Sequence, residues 1–364
     1  MTTKIRVLVV DDSALVRSLL AAIIDRHDDM VCVGAAADAL IARQMIRELN
    51  PDVITLDVEM PHMDGIEFLS RLMRLRPTPV LMVSTLTQHG AELTLRALEL
   101  GAVDFVAKPQ IGVGDGLARL ADEIGAKIRV AAHARLQRRG APAQTTGPAP
   151  AALGGVSRET VIFIGASTGG TEATRQLLQQ LPADVPALMI TQHMPGGFTR
   201  GYASRLDSLC RIAVKEASDG EHVLRGHAYI APGGRHLGIE RLGTTYVARV
   251  SDSEPVNRHK PSVEVLFESA ARVVGAHALG VMLTGMGADG AAAMRRMRDA
   301  GSWNVAQDEA SCVVFGMPRE AIAAGAVHEV LPLPAIAPRL LSRLRGSAVT
   351  AFGQQARSRG FAGA

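Results

Sequence analysis

Two groups of residues have types and spacings that could do chemistry. In the first, Asp11 and Asp12 follow the apolar run IRVLVV, and Asp57 closes the run DVITLDV. If those runs are neighbouring parallel strands, their carboxyl ends meet at the edge where open α/β sheets bind ligands. Three carboxylates brought together repel unless a cation neutralises them, and a hard, oxygen-preferring ion such as Mg²⁺ meets that need. Ser84, ending PVLMVS, and Lys108, ending VDFVAK, would reach the same edge. A metal, a carboxylate nucleophile, a hydroxyl and an ammonium together make a phosphoryl-transfer site. The plainer alternative is that Asp11 and Asp12 only cap the following helix. Asp57, Ser84 and the Lys108-Pro109 step, each at a strand end, weigh against it.

In the second group, VIFIGASTGG places Ser167 at a strand-to-helix turn within a G-x-S-x-G pattern. The flanking glycines permit a tight turn, and a helix N-terminus nearby favours developing negative charge. A phosphate-cradling loop is the competitor, but the segment lacks both the G-x-G-x-x-G spacing and the Lys of a P-loop. The next strand-like run, ALMITQH, brings His193 to the same edge as Ser167, where a neutral imidazole can take the serine proton. A histidine in such a place also serves as a structural hydrogen-bonding group. LGVMLTGMGADG then offers Asp289, either as cap of the helix AAAMRRM or as the carboxylate that holds the histidine tautomer. The resulting order Ser, His, Asp excludes the α/β-hydrolase fold, which runs Ser, Asp or Glu, His.

The elements that must position these groups follow from periodicity. Residues 5 to 108 alternate short aliphatic runs with amphipathic segments, which predicts a doubly wound parallel, flavodoxin-like sheet with helices on both faces. A further helix is expected from about Leu117 to Leu136. Residues 140 to 155, GAPAQTTGPAPAALGG, carry no charge and no apolar periodicity, so they form a linker; the basic run RLQRRG before them is a docking patch or a solvated helix end. From VIFIGASTGG onward a second α/β series, mainly parallel, is expected with an inserted hairpin drawn from AYIAPGG, RHLGIE and TTYVARV. The expected organisation is 1–125 for the first domain, 126–157 for a helical extension and linker, 158–345 for the second domain and 346–364 for a disordered tail.

Bulk composition narrows the function classes. A chain of 364 residues, 47% hydrophobic, can bury two cores. A net charge of +3 and 3% aromatic residues give no basic or stacking surface for nucleic acid, and no helix-turn-helix is visible. Cys32, Cys210 and Cys312 lie far apart without metal or disulfide spacing, so they are expected as buried thiols in a reducing cytoplasm. No secretory signal or membrane-spanning run is evident. A DNA-binding regulator, a nucleotide-binding module and a catalytically decayed scaffold remain as rival readings.

Residues 1 to about 125 resemble response-regulator receiver domains in the acidic pair, Asp57 with MPHMDG around it, Ser84 and the Lys108-Pro109 step. That resemblance implies phosphorylation of Asp57 by a cognate histidine kinase. It also implies Mg²⁺ at the acidic pocket of Asp11, Asp12 and Asp57, held by Asp12, Asp57 and the Glu59 backbone carbonyl. Ser84 and Lys108 would read the phosphate, and Phe105 stands where such domains carry a rotating aromatic, although packing alone would also explain it. Residues from about 158 to 345 resemble the catalytic domain of the bacterial chemotaxis receptor methylesterases, in GASTGG, TQHMP, VNRHKPSV at 256 to 263 and LTGMGADG. The resemblance implies a Ser167–His193–Asp289 triad, an oxyanion hole using the Met286 N–H and assistance from Thr168. Its implied substrates are glutamate γ-methyl esters, and by the same chemistry glutamines, of methyl-accepting chemotaxis receptors, hydrolysed without a cofactor. A cytoplasmic monomer, with no membrane insertion, whose unphosphorylated receiver covers the catalytic cleft is expected.

Overall fold

The computed structural model describes residues 3–60, 64–85, 87–108, 114–134 and 152–359. Parts of the linker, all of RLQRRG, residues 61–63 of MPHMDG, Pro109 and residues 360–364 lie outside the described residues. The chain divides into two compact units, Met1–Pro142 and Ala143–Ala364.

In the first unit β1 (Ile5–Val10), α1 (Ala14–Asp25), β2 (Met30–Ala36), α2 (Ala39–Leu49) and β3 (Val53–Asp57) are followed by α3 (Gly65–Leu75), β4 (Val80–Ser84), α4 (Gln88–Leu100), β5 (Asp104–Ala107) and α5 (Gly114–Ala132). The strands form one sheet in the order β2-β1-β3-β4-β5, with every pair parallel. β3 and β4 are buried along their whole length, as parallel strands covered on both faces must be, and their aliphatic runs reflect it. The strand order reverses between β1 and β3, so Asp11, Asp12 and Asp57 sit at the switch point where two crossovers diverge and leave a crevice.

In the second unit β6 (Val161–Ala166), α6 (Gly170–Leu178), β7 (Ala187–Gln192), α7 (Thr199–Leu209), β8 (Ala213–Glu216) and β9 (His227–Ile230) come first. The hairpin β10 (His236–Leu242) and β11 (Thr245–Ser251) and the helix α8 (Val263–Val273) follow. The unit ends with β12 (Ala278–Met282), α9 (Ala291–Asp299), β13 (Trp303–Gln307), α10 (Met317–Ala323), β14 (Glu329–Leu331) and α11 (Leu333–Arg359). Seven parallel strands run β14-β13-β12-β6-β7-β9-β8, and β10-β11 form a separate antiparallel pair. The hairpin is cemented to α8: Leu237 and Ile239 share a buried cluster with Leu266, Phe267 and Ala270, and the Ile239 N–H donates to Ser269 Oγ at 3.1 Å. The insertion thereby fixes where α8 begins, and α8 begins at the site.

Both α/β units and the inserted hairpin agree with the fold class expected from periodicity. Three details differ. β8 and α8 were not read as elements. β8 is a four-residue edge strand with only Val214 buried, too short to carry a periodic signal. Cys210 and Cys32 are half-buried, and only Cys312 is buried, because the first two sit at the end of α7 and on edge strand β2. Finally, α11 continues to Arg359, past residue 345 where a disordered tail was expected; its Ala, Gln and Arg content favours helix.

Candidate active and phosphorylation sites

The second-unit site lies at the carboxyl ends of the adjacent strands β12, β6 and β7. Ala166 pairs with Gln192 in the register of β6 and β7, so Ser167 and His193 are the next residues on neighbouring strands, and the His193 N–H donates to the Ala166 carbonyl at 3.1 Å. On the other side the Ser167 N–H donates to the Thr284 carbonyl at 3.1 Å. Buried Gln192 ties the turn together, its Nε2 donating to the Ser167 and His193 carbonyls at 2.8 and 3.2 Å. Gly285 must be glycine, since a Cβ there would stand 2.7 Å from Ser167 Cβ and 2.4 Å from Met317 Sδ. The backbone can therefore press against the serine.

His193 Nε2 bonds Asp289 Oδ2 at 2.8 Å, with both side chains nearly out of solvent, at 8% and 1% exposure. His193 Nδ1 is buried without a hydrogen-bond partner among the described residues, and no bond joins it to Ser167 Oγ. Contacts of that kind commonly tighten only when substrate is present. Asp289 accepts three more short bonds, from Val263 N at 2.7 Å, Asn257 Nδ2 at 2.8 Å and Ser262 Oγ at 2.8 Å, and a longer one from Glu264 N at 3.4 Å. Burial alone would push its carboxyl up, but the bonds from His193, Asn257 and Ser262, with the histidine charge, hold it down at about 2. It is a fixed anion at any working pH. Asp289 does not cap the helix that follows it, whose N-cap is Gly290 with no side-chain bond; it sits instead at the first N–H groups of α8, beside that helix's own N-cap, Ser262.

Thr168 is buried, and its carbonyl faces Thr284 Oγ1 at 3.0 Å, so its backbone is pinned beside Ser167. The Met286 N–H makes no hydrogen bond among the described residues. It lies between Gly285 and Gly287, whose φ of +86° requires glycine. Gln192, Asn257, Ser262 and His259 were not singled out by sequence reasoning. TQH and VNRHKPSV contain them, but nothing local tells which of those side chains turns inward.

In the first unit, oxygens of Asp11, Asp12 and Asp57 lie within 4.8 Å of one another. Lys108 Nζ bonds Asp57 Oδ2 at 2.7 Å and approaches Asp11 Oδ2 at 3.3 Å. Neither Asp11 nor Asp12 caps α1; that is Ser13, whose own N–H donates to Asp11 Oδ1. Burial, with the Asp11 charge adding to it, pushes the Asp57 carboxyl up to about 6 despite the Lys108 ammonium. Asp11 is raised as well, by burial first, and among the described residues its Oδ2 has only the Lys108 ammonium, 3.3 Å away, beside it. A pocket of oxygen donors this short of positive charge fits a hard divalent cation. The Glu59 N–H donates to Asp57 Oδ1 at 3.1 Å, which holds that residue beside the pocket. Ser84 is buried, with its hydroxyl 3.2 Å from the Thr85 and Gly90 carbonyls. Phe105 is buried, with the Lys127 ammonium 5.3 Å from its ring centre.

Comparison with known proteins agrees with this division. The CheB methylesterase family profile matches residues 162–340 and the response regulator receiver domain profile matches residues 7–114. Protein-glutamate methylesterase/protein-glutamine glutaminase 1 of Albidiferax ferrireducens is 66% identical, over 94% of this chain and 94% of that protein. Its counterpart 2 from Cupriavidus pinatubonensis is 60% identical, over 94% and 96%. The solved Thermotoga maritima CheB methylesterase catalytic domain is 37% identical, covering 50% of this chain and 97% of that one with a TM-score of 0.49. On the two curated relatives and the two profiles, the chain belongs to the protein-glutamate methylesterase/protein-glutamine glutaminase family, with a response regulator receiver domain ahead of a CheB methylesterase domain.

Proposed function

We infer that this chain hydrolyses glutamate γ-methyl esters of methyl-accepting chemotaxis receptors, and deamidates receptor glutamines, under control of phosphorylation at Asp57. The observation that carries the catalytic reading is the His193–Asp289 pair next to Ser167 on three adjacent strand ends. Ser167 Oγ attacks the ester carbonyl, His193 takes its proton at Nδ1, and the oxyanion forms against the Met286 N–H, with Thr168 holding the turn. Collapse of the intermediate breaks the bond to methoxide, which leaves as methanol with the proton from His193. Water activated by the same histidine then releases glutamate; with a glutamine substrate, ammonia leaves in place of methanol.

The regulatory half rests on the receiver, residues 1–125, joined through 126–157 to the catalytic unit, 158–345. A cognate histidine kinase supplies the phosphoryl group. Asp12, Asp57 and the Glu59 carbonyl, with Asp11 beside them, would hold Mg²⁺, which when bound offsets charge on the incoming phosphoryl group. Lys108 already bonds Asp57 and would bond a phosphoryl oxygen, and Ser84 would turn from its carbonyl partners to another. Phe105 would follow that turn. Added charge of about −1.5 to −2 at Asp57 biases the receiver surface and opens the cleft. No described helix is long and apolar enough to cross a membrane, and the receptor helices it meets are taken to be cytoplasmic.

Methanol release from methylated receptor membranes tests the catalytic reading. Ser167→Ala is expected to lose most turnover, leaving at most a residual of roughly 10³ to 10⁴ over water. Wild-type release by that variant would refute the assignment.

A further inference from the structure

The segment VNRHKPSV carries more of the site than its donors to Asp289. Val256 and His259 bond each other across a tight turn, N to O at 3.1 Å and 2.9 Å. The two residues between them, Asn257 and Arg258, have φ of +52° and +67°. Two successive left-handed residues are the signature of a type I′ turn, which normally asks for Asn-Gly. With Arg in the second place the backbone is held in a conformation that side chains disfavour, and such strain collects where the surroundings over-determine it. Here they do. Asn257 is hooked to Asp289, and His259 lies flat on His193, ring centroids 3.7 Å apart and planes 10° from parallel.

A single bond from Nε2 to Asp289 fixes one atom of the His193 ring, not its plane. The ring can still swing about that bond, carrying Nδ1 away from the serine. A face-on partner removes that freedom, and the turn that supplies it is anchored to the same carboxylate. Resting on the reading of Ser167, His193 and Asp289 given above, we propose that His259 is a positioning residue that, by stacking, holds the His193 ring in the plane where Nδ1 meets the Ser167 hydroxyl.

The test uses the full-length chain with His259→Ala, His259→Phe and His193→Ala. Three quantities are read: kcat and KM for methanol release, the rate at which phenylmethylsulfonyl fluoride labels Ser167, and the thermal midpoint. His259→Ala is expected to lower kcat and the labelling rate together by about 10- to 100-fold with little change in KM, the scale of a misplaced reacting group. Phe at 259 keeps a flat ring without nitrogens and is expected to restore most of both rates. Wild-type rates in His259→Ala would overturn the proposal, as would a change confined to KM. Phe no better than Ala, with thermal midpoints like wild type, would also overturn it, because the ring nitrogens would then be what matters. Wild-type turnover in His193→Ala would instead strike the triad reading, and so the two failures are separable.

Discussion

Asp57 and Asp289 are the same side chain at the carboxyl edge of a parallel sheet, Asp57 closing β3 and Asp289 in the loop after β12, and both are nearly sealed from solvent. Their carboxyls are driven apart, to about 6 and about 2. Burial acts upward on both, so it does not explain the difference. Asp289 receives four short bonds, from the His193 ring, two neutral side chains and a backbone N–H. Asp57 receives one ammonium and one backbone N–H, and shares the ammonium with Asp11. The lesson is that a carboxylate surrounded by donors is a permanent fixture, whereas one among its own kind awaits a partner. That suits a residue that orients a histidine in the first case and one that accepts a phosphoryl group in the second.

The comparison can be broken in order of expected effect. Asp289→Asn keeps the shape of the donor cage but removes the anion, and kcat for methanol release should fall on the order of 10⁴-fold because the histidine tautomer is no longer fixed. A loss below about ten-fold would mean the fixed charge is not needed. At the other site Asp57→Asn should abolish the stimulation that a small phosphodonor gives the wild type; equal stimulation of both would remove Asp57 as acceptor.

Ser262→Ala deletes one of the four short donors. With about 1.5–3 kcal/mol at stake for a bond to a charged group, kcat should drop by at most roughly 10- to 150-fold, and combining it with Asn257→Ala should drop it further.

Stability against pH gives the smallest and most direct contrast. Asp57 binds its proton more tightly when folded than its ordinary 3.8, so its charge destabilises the fold fully above about 6, and that penalty disappears as pH falls toward 3.8. Asp289, held near 2, stabilises the fold above its ordinary value and loses that contribution only as pH falls through 2. In EDTA, acidification from pH 7 to 5 should therefore raise the receiver's thermal midpoint in wild type by a few degrees relative to Asp57→Asn, while Asp289→Asn leaves that interval unaltered. Calorimetric scans of the three proteins at both pH values decide it.

The alternation of aliphatic runs and amphipathic segments was enough to foresee both parallel sheets, because strands buried on two faces must be continuously apolar. The same runs ended at Asp57, Ser167 and His193, so the placement of these residues at sheet edges was legible too. The cage around Asp289 was not. Ser262 and Asn257 come from the stretch between the inserted hairpin and α8, some thirty residues before Asp289, and a contact across that distance leaves no local period. Even Asp289 was ambiguous: it looked like the cap of α9, and the helix whose first N–H groups it meets is α8, an element with no expectation attached to it. The turn under His259 was hidden for a chemical reason, since Asn-Arg stands where left-handed pairs usually show Asn-Gly.

The strand order also fixes when the enzyme can exist. Ser167 and His193 directly follow the neighbouring strands β6 and β7 early in the second unit, but the carboxylate that bonds the histidine arrives only after β12, at Asp289. At about 5–20 residues per second, translation from the end of α5 to that point takes roughly 8 to 30 s. Domains fold as units in the order they emerge, so the switch is assembled on the ribosome well before the activity it governs. A nascent chain cut short before Asp289 would carry the proposed switch without the carboxylate of the proposed triad, so on that reading the regulator is made before the activity.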